Sequence, residues 1–158
     1  MTPAVNQAKK QKIAFELHSY THDVNASSFG EEAAEKLAVD ASRVFKTLVV
    51  NAITIHGEQL AVAIVPVENQ LNLKAMAKAL KAKKVKMADA KRVEATTGYV
   101  LGGVSPLGQK KRLTTVIDQS STSFKTVFVS GGKRGLEIEL SANDLAKVTQ
   151  ATFADLAS

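Results

Sequence analysis

The sequence predicts one α/β domain, with a mixed, mostly antiparallel and partly barrel-like sheet surrounded by helices. Its 158 residues match the usual size of one domain, about 150 residues, so the domain is expected to cover residues 1–158. Segments with helical periodicity alternate with segments rich in Val and Ile along the whole length. The strands outnumber those of a simple β-α-β repeat and several form hairpins, which favours antiparallel pairing.

Each element has its own signal in the chain. Capping residues or apolar spacing predict five helices, and segments rich in Val, Ile and Phe predict the strands. The helices are marked by Thr2 with Pro3, by a capping box of Ser28 and Glu31, by Leu73, Met76, Ala77 and Leu80 at helical spacing, by Asp89 with Gly98 at the far end, and by Ser141 with Asp144. The strands are expected at 15–20, 44–55, 60–65, 113–117, 126–130 and 136–140, with hairpin turns at 56–58 and 131–135.

Composition excludes several kinds of chemistry. The chain has no cysteine and only three histidines, which rules out disulfides, thiol nucleophiles and cysteine-based zinc sites. We expect no metal and no cofactor. No apolar run reaches the ~18–20 residues that span a bilayer and no signal pattern precedes the first helix, so a cytoplasmic protein without a membrane partner is expected. A net charge of +6 suits an anionic partner, but it fits ordinary solubility equally well.

The most informative single residue is Lys46. Because side chains alternate along a strand, Lys46 shares an otherwise apolar face with Val44, Leu48 and Val50. Burying an unpaired ammonium costs several kcal/mol. Lys46 is therefore either an edge lysine whose amine reaches water, or a cation at the floor of a cleft, directed at a phosphate or a developing oxyanion.

A second feature is the glycine-rich segment 98–108. It lacks the lysine of a nucleotide-binding P-loop, since Gln109 stands at that position, and it lacks the spacing of a serine-hydrolase elbow. The backbone N–H groups of Gly102, Gly103 and Val104 could form a concave anion site that a ligand can approach closely. A plain surface turn is the alternative.

Two further segments carry polar groups beside strands or helices. Ser130 and Gly131 end a strand, and the cations Lys133 and Arg134 follow; the segment is either a pocket mouth or only a hairpin turn. Lys78 and Lys81 belong to a lysine-rich stretch at 74–92 that is either a solvated face or a stripe that follows phosphates.

These features together resemble the YbaK family of freestanding aminoacyl-tRNA deacylases, relatives of the editing domain of bacterial prolyl-tRNA synthetase. The likeness rests on Lys46 within a central strand, on Gly-Tyr-x-x-Gly-Gly-Val-Ser-Pro-Leu-Gly at 98–108 and on Val-Ser-Gly-Gly-Lys-Arg-Gly-Leu-Glu-Ile-Glu at 129–139. It covers essentially the whole chain, and the most similar branch is that of the Cys-tRNA(Pro) deacylases.

The resemblance implies a role for each matching residue. Lys46 would engage the phosphate of the tRNA 3′-terminal adenosine or position the ester. The loop that would hold the ester carbonyl as it becomes an oxyanion consists of Gly102, Gly103, Val104, Ser105 and Pro106. The aminoacyl pocket would be lined by Tyr20, Phe29, Thr47, Ser130 and Gly131. Weaker tRNA contacts are expected at Lys78, Lys81, Lys133 and Arg134, and prolyl-tRNA synthetase is expected to present the tRNA.

Without a thiol nucleophile, the expected mechanism is assisted by the substrate. The cysteine thiol of the substrate, or a bound water, would attack the ester while the loop amides stabilise negative charge. Two alternatives stay open: a non-catalytic binder of tRNA 3′ ends or nucleotides, and a regulatory partner of a synthetase.

Overall fold

The computed structural model describes residues 1–25 and 29–158, whose strands form two sheets. The strands are β1 Phe15–Ser19, β2 Phe45–Thr54, β3 Gly57–Pro66, β4 Lys84–Met87, β5 Thr114–Asp118, β6 Val127–Ser130, β7 Leu136–Leu140 and β8 Thr152–Ala154. One sheet has the order β4-β2-β3-β5-β8 and the other the order β1-β7-β6. β3–β5 and β5–β8 are parallel, and the other pairings are antiparallel.

The predicted α/β class, with a mixed and mostly antiparallel arrangement, is confirmed. The sheets meet where a bridge joins Val44 to Phe128, so the start of β2 lies beside β6. The strands that the structure describes do not close into a barrel. Of the predicted barrel-like character, the structure contains only this contact between the two sheets.

Helices cover the sheets, and their caps follow the sequence signals. They are α1 Pro3–Lys10, α2 Phe29–Lys36, α3 Leu73–Leu80, α4 Ala90–Thr97 and α5 Ala142–Thr149. The side chains of Thr2, Asp89 and Ser141 accept hydrogen bonds from first-turn amides, as N-caps do. Gly98 ends α4 with a φ of +85°. The predicted capping residue Ser28 lies outside the described residues. None of the helices described is long and apolar enough to cross a membrane.

The core is built on both faces of the β2–β3 hairpin. Ile64 and Val62 are fully buried on β3, where they pack with Leu145 of α5, and Met76 of α3 is buried against the opposite face. Each such side chain stabilises the fold by roughly 1.5–3 kcal/mol. This packing holds β2, and therefore Lys46, in a fixed frame.

Three details differ from the expectation, and one of them is β8, where no strand was predicted. Thr54 pairs with Gly57, so the tight turn consists of residues 55 and 56, and residues 57 and 58 already belong to β3. The structure also contains β4, which the sequence analysis treated only as part of a lysine-rich stretch. Its Val85 is buried between two exposed lysines, Lys84 and Lys86, a pattern too short to stand out.

Candidate functional site

A cavity of about 300 Å³ lies where the start of β2, the end of β1, the glycine-rich loop 98–108 and the β6–β7 turn meet. This volume is at the small end of the range for ligand pockets, roughly 300–1,000 Å³. Eight of the predicted site residues line it: Tyr20, Lys46, Thr47, Gly102, Val104, Ser130, Lys133 and Arg134. Residues from four separate segments of the chain therefore converge on one small space.

Lys46 lies in the cavity wall near the start of β2. β4 pairs with β2 only from Val50 to Ile53, and the start of β2 lies between β3, with which it pairs, and β6, to which a bridge from Val44 to Phe128 joins it. Burial lowers the pKa of Lys46, and the charge of Glu31 partly opposes that effect. Lys46 is half-buried and lines the cavity.

The glycine-rich loop presents backbone to the cavity at Gly102. Its φ of +88° is one that side chains rarely adopt. Within the described residues, the amides of Gly102 and Val104 donate no hydrogen bond. The amide of Gly103, however, donates to the carbonyl of Val100 at 3.0 Å, so it is not available for an oxyanion in this conformation. Gly103 instead allows close packing, because a Cβ there would lie 3.2 Å from the Cα of Lys133.

Ser105 and Pro106, expected in the pocket, belong to the loop but do not line the cavity. Ser105 is fully buried, and its hydroxyl accepts a hydrogen bond from the amide of Leu107 at 3.2 Å. The hydroxyl of Tyr99 donates to the carbonyl of Leu107 at 2.6 Å. These contacts fix the shape of the loop, so Ser105 and Pro106 support the cavity without lining it.

The far wall is formed by the β6–β7 hairpin and by β2. The hydroxyl of Ser130 accepts a hydrogen bond from the amide of Gly132 at 3.1 Å. Gly131 is buried, and a Cβ there would meet Leu136 at 2.6 Å, so this glycine serves the hairpin. The hydroxyl of Thr47 is buried and has no partner among the described residues. A buried hydroxyl without a partner is costly, so this position lowers the stability of the fold.

The remaining predicted site residues lie at different distances from the cavity or outside the described residues. The side chain of Phe29 lies outside the described residues. Arg134 joins the two loops, because its guanidinium donates to the carbonyl of Leu101 at 3.3 Å. Lys78 and Lys81 are exposed around the end of α3, and neither lines the cavity.

Among the lining residues that sequence reasoning did not place at the site, the titratable one is Glu137. It is only 7% exposed, and burial raises the pKa of its carboxyl to about 8. Ser130 and His18 are its partners on the neighbouring strands. The alternation in Leu-Glu-Ile-Glu-Leu at 136–140 places Glu137 on the polar face of β7, but only the tertiary structure shows that this face is covered at that point.

A larger groove of about 850 Å³ shares no lining residue with the cavity. Beside it, His18 lies 2.8 Å from Glu139 and 3.9 Å from Glu16, two carboxylates that the sequence could not place near the histidine. The guanidinium of Arg43 lies 3.4 Å from Glu139, so a cation already balances this cluster. We therefore consider the smaller cavity the functional site.

Comparison with known proteins identifies chains that are similar in sequence. A family model described as the aminoacyl-tRNA editing domain matches residues 23–148. The chain is 35% identical, over 98% of its length and 92% of the relative's, to the Enterococcus faecalis protein named "Putative Cys-tRNA(Pro)/Cys-tRNA(Cys) deacylase EbsC". It is 29% identical, over 77% of its length and 75% of the relative's, to the Bacillus subtilis protein YwhH.

Solved structures share the fold across the whole chain. The crystal structure of the hypothetical protein APE2540 superposes with a TM-score of 0.85 at 27% identity, covering 99% of this chain and 100% of that one. A structure described as "a putative trans-editing enzyme for prolyl tRNA synthetase" superposes with a TM-score of 0.82 at 20% identity, covering 100% and 99%.

Proposed function

The chain belongs to the aminoacyl-tRNA editing domain family, and we propose that it is a trans-editing deacylase that cleaves the ester of mischarged Cys-tRNA(Pro). One observation carries the proposal. Lys46, whose side chain is half-buried, lines the same small cavity as Gly102 and Val104, whose amides donate no hydrogen bond among the described residues. A cation and two fixed dipoles suit an ester bound beside a phosphate, with negative charge developing on its carbonyl oxygen.

The chemistry follows from groups that the substrate itself supplies. The chain has no cysteine, and the aminoacyl ester is already activated. The thiol of the substrate cysteine loses its proton and its sulfur attacks the carbonyl carbon. The carbon–sulfur bond forms, the bond to the tRNA 3′-oxygen breaks, and that oxygen takes up a proton. The amides of Gly102 and Val104 stabilise the tetrahedral oxyanion, and attack by a bound water is the alternative route.

Substrate-assisted attack explains how a small cavity selects cysteine. Pocket size alone discriminates by only ~1–3 kcal/mol per methylene group, which separates cysteine poorly from alanine or serine. A reaction that needs the thiol separates them chemically. Proline is excluded because it has no thiol and carries a rigid ring. Prolyl-tRNA synthetase would present the tRNA, since the cavity recognises only the 3′ end.

A deacylation panel tests the proposal. Rates are measured on one tRNA(Pro) charged in turn with cysteine, alanine, serine and proline. We expect fast cleavage of the cysteine ester alone. Equal rates for cysteine and alanine would exclude participation of the thiol, and no cleavage of any ester would refute the deacylase.

Lys46→Ala separates an enzyme from a non-catalytic binder of tRNA ends. In an enzyme, the single-turnover rate at saturating substrate falls, by roughly 10²-fold if Lys46 acts on the transition state. In a binder, only affinity falls. Lys147→Ala, a change at an exposed position of α5 outside the cavity, is the matched control and should behave as wild type.

A further inference from the structure

The cavity that holds Lys46 also contains the buried carboxyl of Glu137, to which the proposed reaction assigns no role. Within the described residues, this carboxyl makes no hydrogen bond and no ion pair. It lies close enough to Tyr20 that its charge adds to the effect of burial in raising the pKa of that hydroxyl. A carboxyl in such a place destabilises the fold, so packing gives no reason for it.

The charged groups around Glu137 do not neutralise it. His18, opposite it on β1, is hydrogen-bonded to Glu139 instead, at 2.8 Å. Lys46 interacts with Glu31, and the guanidinium of Arg134 contacts the carbonyl of Leu101. Lys133 lines the cavity without an ion pair to Glu137. The cavity thus keeps an ammonium and a carboxyl apart, which suits a ligand that bears both a negative and a positive group.

An aminoacyl ester is such a ligand. Its α-amino group is bonded to the carbon next to the reacting carbonyl, so whatever contacts the amine also fixes the ester. Free α-amino groups titrate near 7.7–8.0, close to the raised pKa of Glu137, about 8. Near neutral pH the amine and the carboxyl therefore hold a hydrogen bond between them, whichever of the two carries the shared proton.

We propose that Glu137 binds the free α-amino group of the substrate, so that the enzyme cleaves aminoacyl esters and spares esters of N-acylated amino acids. This inference rests on the proposed deacylase function. An N-acyl group removes both the positive charge and the basic lone pair of the amine, which are the groups that Glu137 would contact. Peptidyl-tRNA is such an N-acylated ester, and an editing enzyme that cleaved it would interrupt protein synthesis.

The test compares Cys-tRNA(Pro) with N-acetyl-Cys-tRNA(Pro). Each enzymatic rate is divided by the rate of uncatalysed hydrolysis of the same ester, because acetylation alone changes that rate. Wild type should favour the free amine by roughly 10- to 100-fold, the loss expected for one charge-assisted hydrogen bond. Glu137→Gln should slow cleavage of the free-amine ester by a similar factor and leave the acetylated ester unchanged.

Glu139→Gln is the matched control. Glu139 lies two residues further along β7, on the same face but outside the cavity, so this variant should keep the wild-type preference. A preference that survives Glu137→Gln overturns the inference, as does a wild type that cleaves both esters equally, and the second result needs no variant. If folded wild type cleaves neither ester, the proposed function itself has failed.

Discussion

Replacing Glu137 by Gln should change how the stability of the protein depends on pH. Burial raises the pKa of this carboxyl from 4.5 to about 8. Between these values the folded protein holds a proton that the unfolded chain has released, so the free energy of unfolding falls as pH rises. Each pH unit costs about 1.4 kcal/mol, and the whole interval costs on the order of 5 kcal/mol.

The glutamine variant keeps the size of the side chain and has no proton to lose. It should match wild type near pH 4.5 and exceed it by several kcal/mol at pH 8.5, equivalent to roughly 10 °C in Tm for a chain of this length. Urea titrations at pH 4.5, 6.5 and 8.5 measure the difference.

Glu139→Gln supplies a control of opposite sign. A hydrogen bond from Thr126, with help from His18 and Arg43, lowers the pKa of the Glu139 carboxyl. That carboxylate stabilises the fold above its unfolded pKa, and the contribution is lost as pH falls, so its glutamine variant should be the less stable protein at neutral pH. If the free energies of unfolding of wild type and Glu137→Gln changed with pH in parallel, the assignment of a buried, uncharged carboxyl to Glu137 would be refuted.

Two further predictions concern the loop and the lysines of α3. Gly102→Ala forces a side chain into a φ of +88° and turns an amide away from the cavity. The deacylation rate should fall by roughly 10²-fold while the circular dichroism spectrum stays unchanged. Full activity would remove Gly102 from the oxyanion site. Lys78→Glu combined with Lys81→Glu should weaken tRNA binding and flatten its salt dependence, whereas unchanged binding isotherms would leave these lysines a role in solubility alone.

The sequence predicted those parts of the fold that local signals control. Capping side chains at Thr2, Asp89 and Ser141 are chemical markers with a fixed register, and the structure contains the helices that they predict. β4 was missed because its only buried apolar residue, Val85, stands among lysines. Its pairing with β2 is what creates the strand, and pairing between distant segments leaves no mark in a window of four residues.

The candidate site was predictable only in part. The position of Lys46 on an otherwise apolar strand face predicted that its ammonium would be partly buried, and in the structure Lys46 lines the cavity. The occupied amide of Gly103 and the buried carboxyl of Glu137 were not visible in the sequence. For Gly103 the contact is a local turn back to Val100, one of several conformations open to a glycine-rich loop. For Glu137 it is the packing of segments far apart in the chain around one cavity.

The residues of the cavity share a property that ordinary packing would not select. The ammonium of Lys46 and the carboxyl of Glu137 are both partly or fully desolvated, and the hydroxyl of Thr47 is buried without a partner among the described residues. These three features lower stability, and the three residues line one space of about 300 Å³ together with Gly102. A ligand that brings an anion to Lys46 and an amine to Glu137 would offset the two largest costs together. Because the fold maintains these costs without a ligand, the polar groups are already in place when the ester arrives, which is the condition under which fixed dipoles accelerate a reaction.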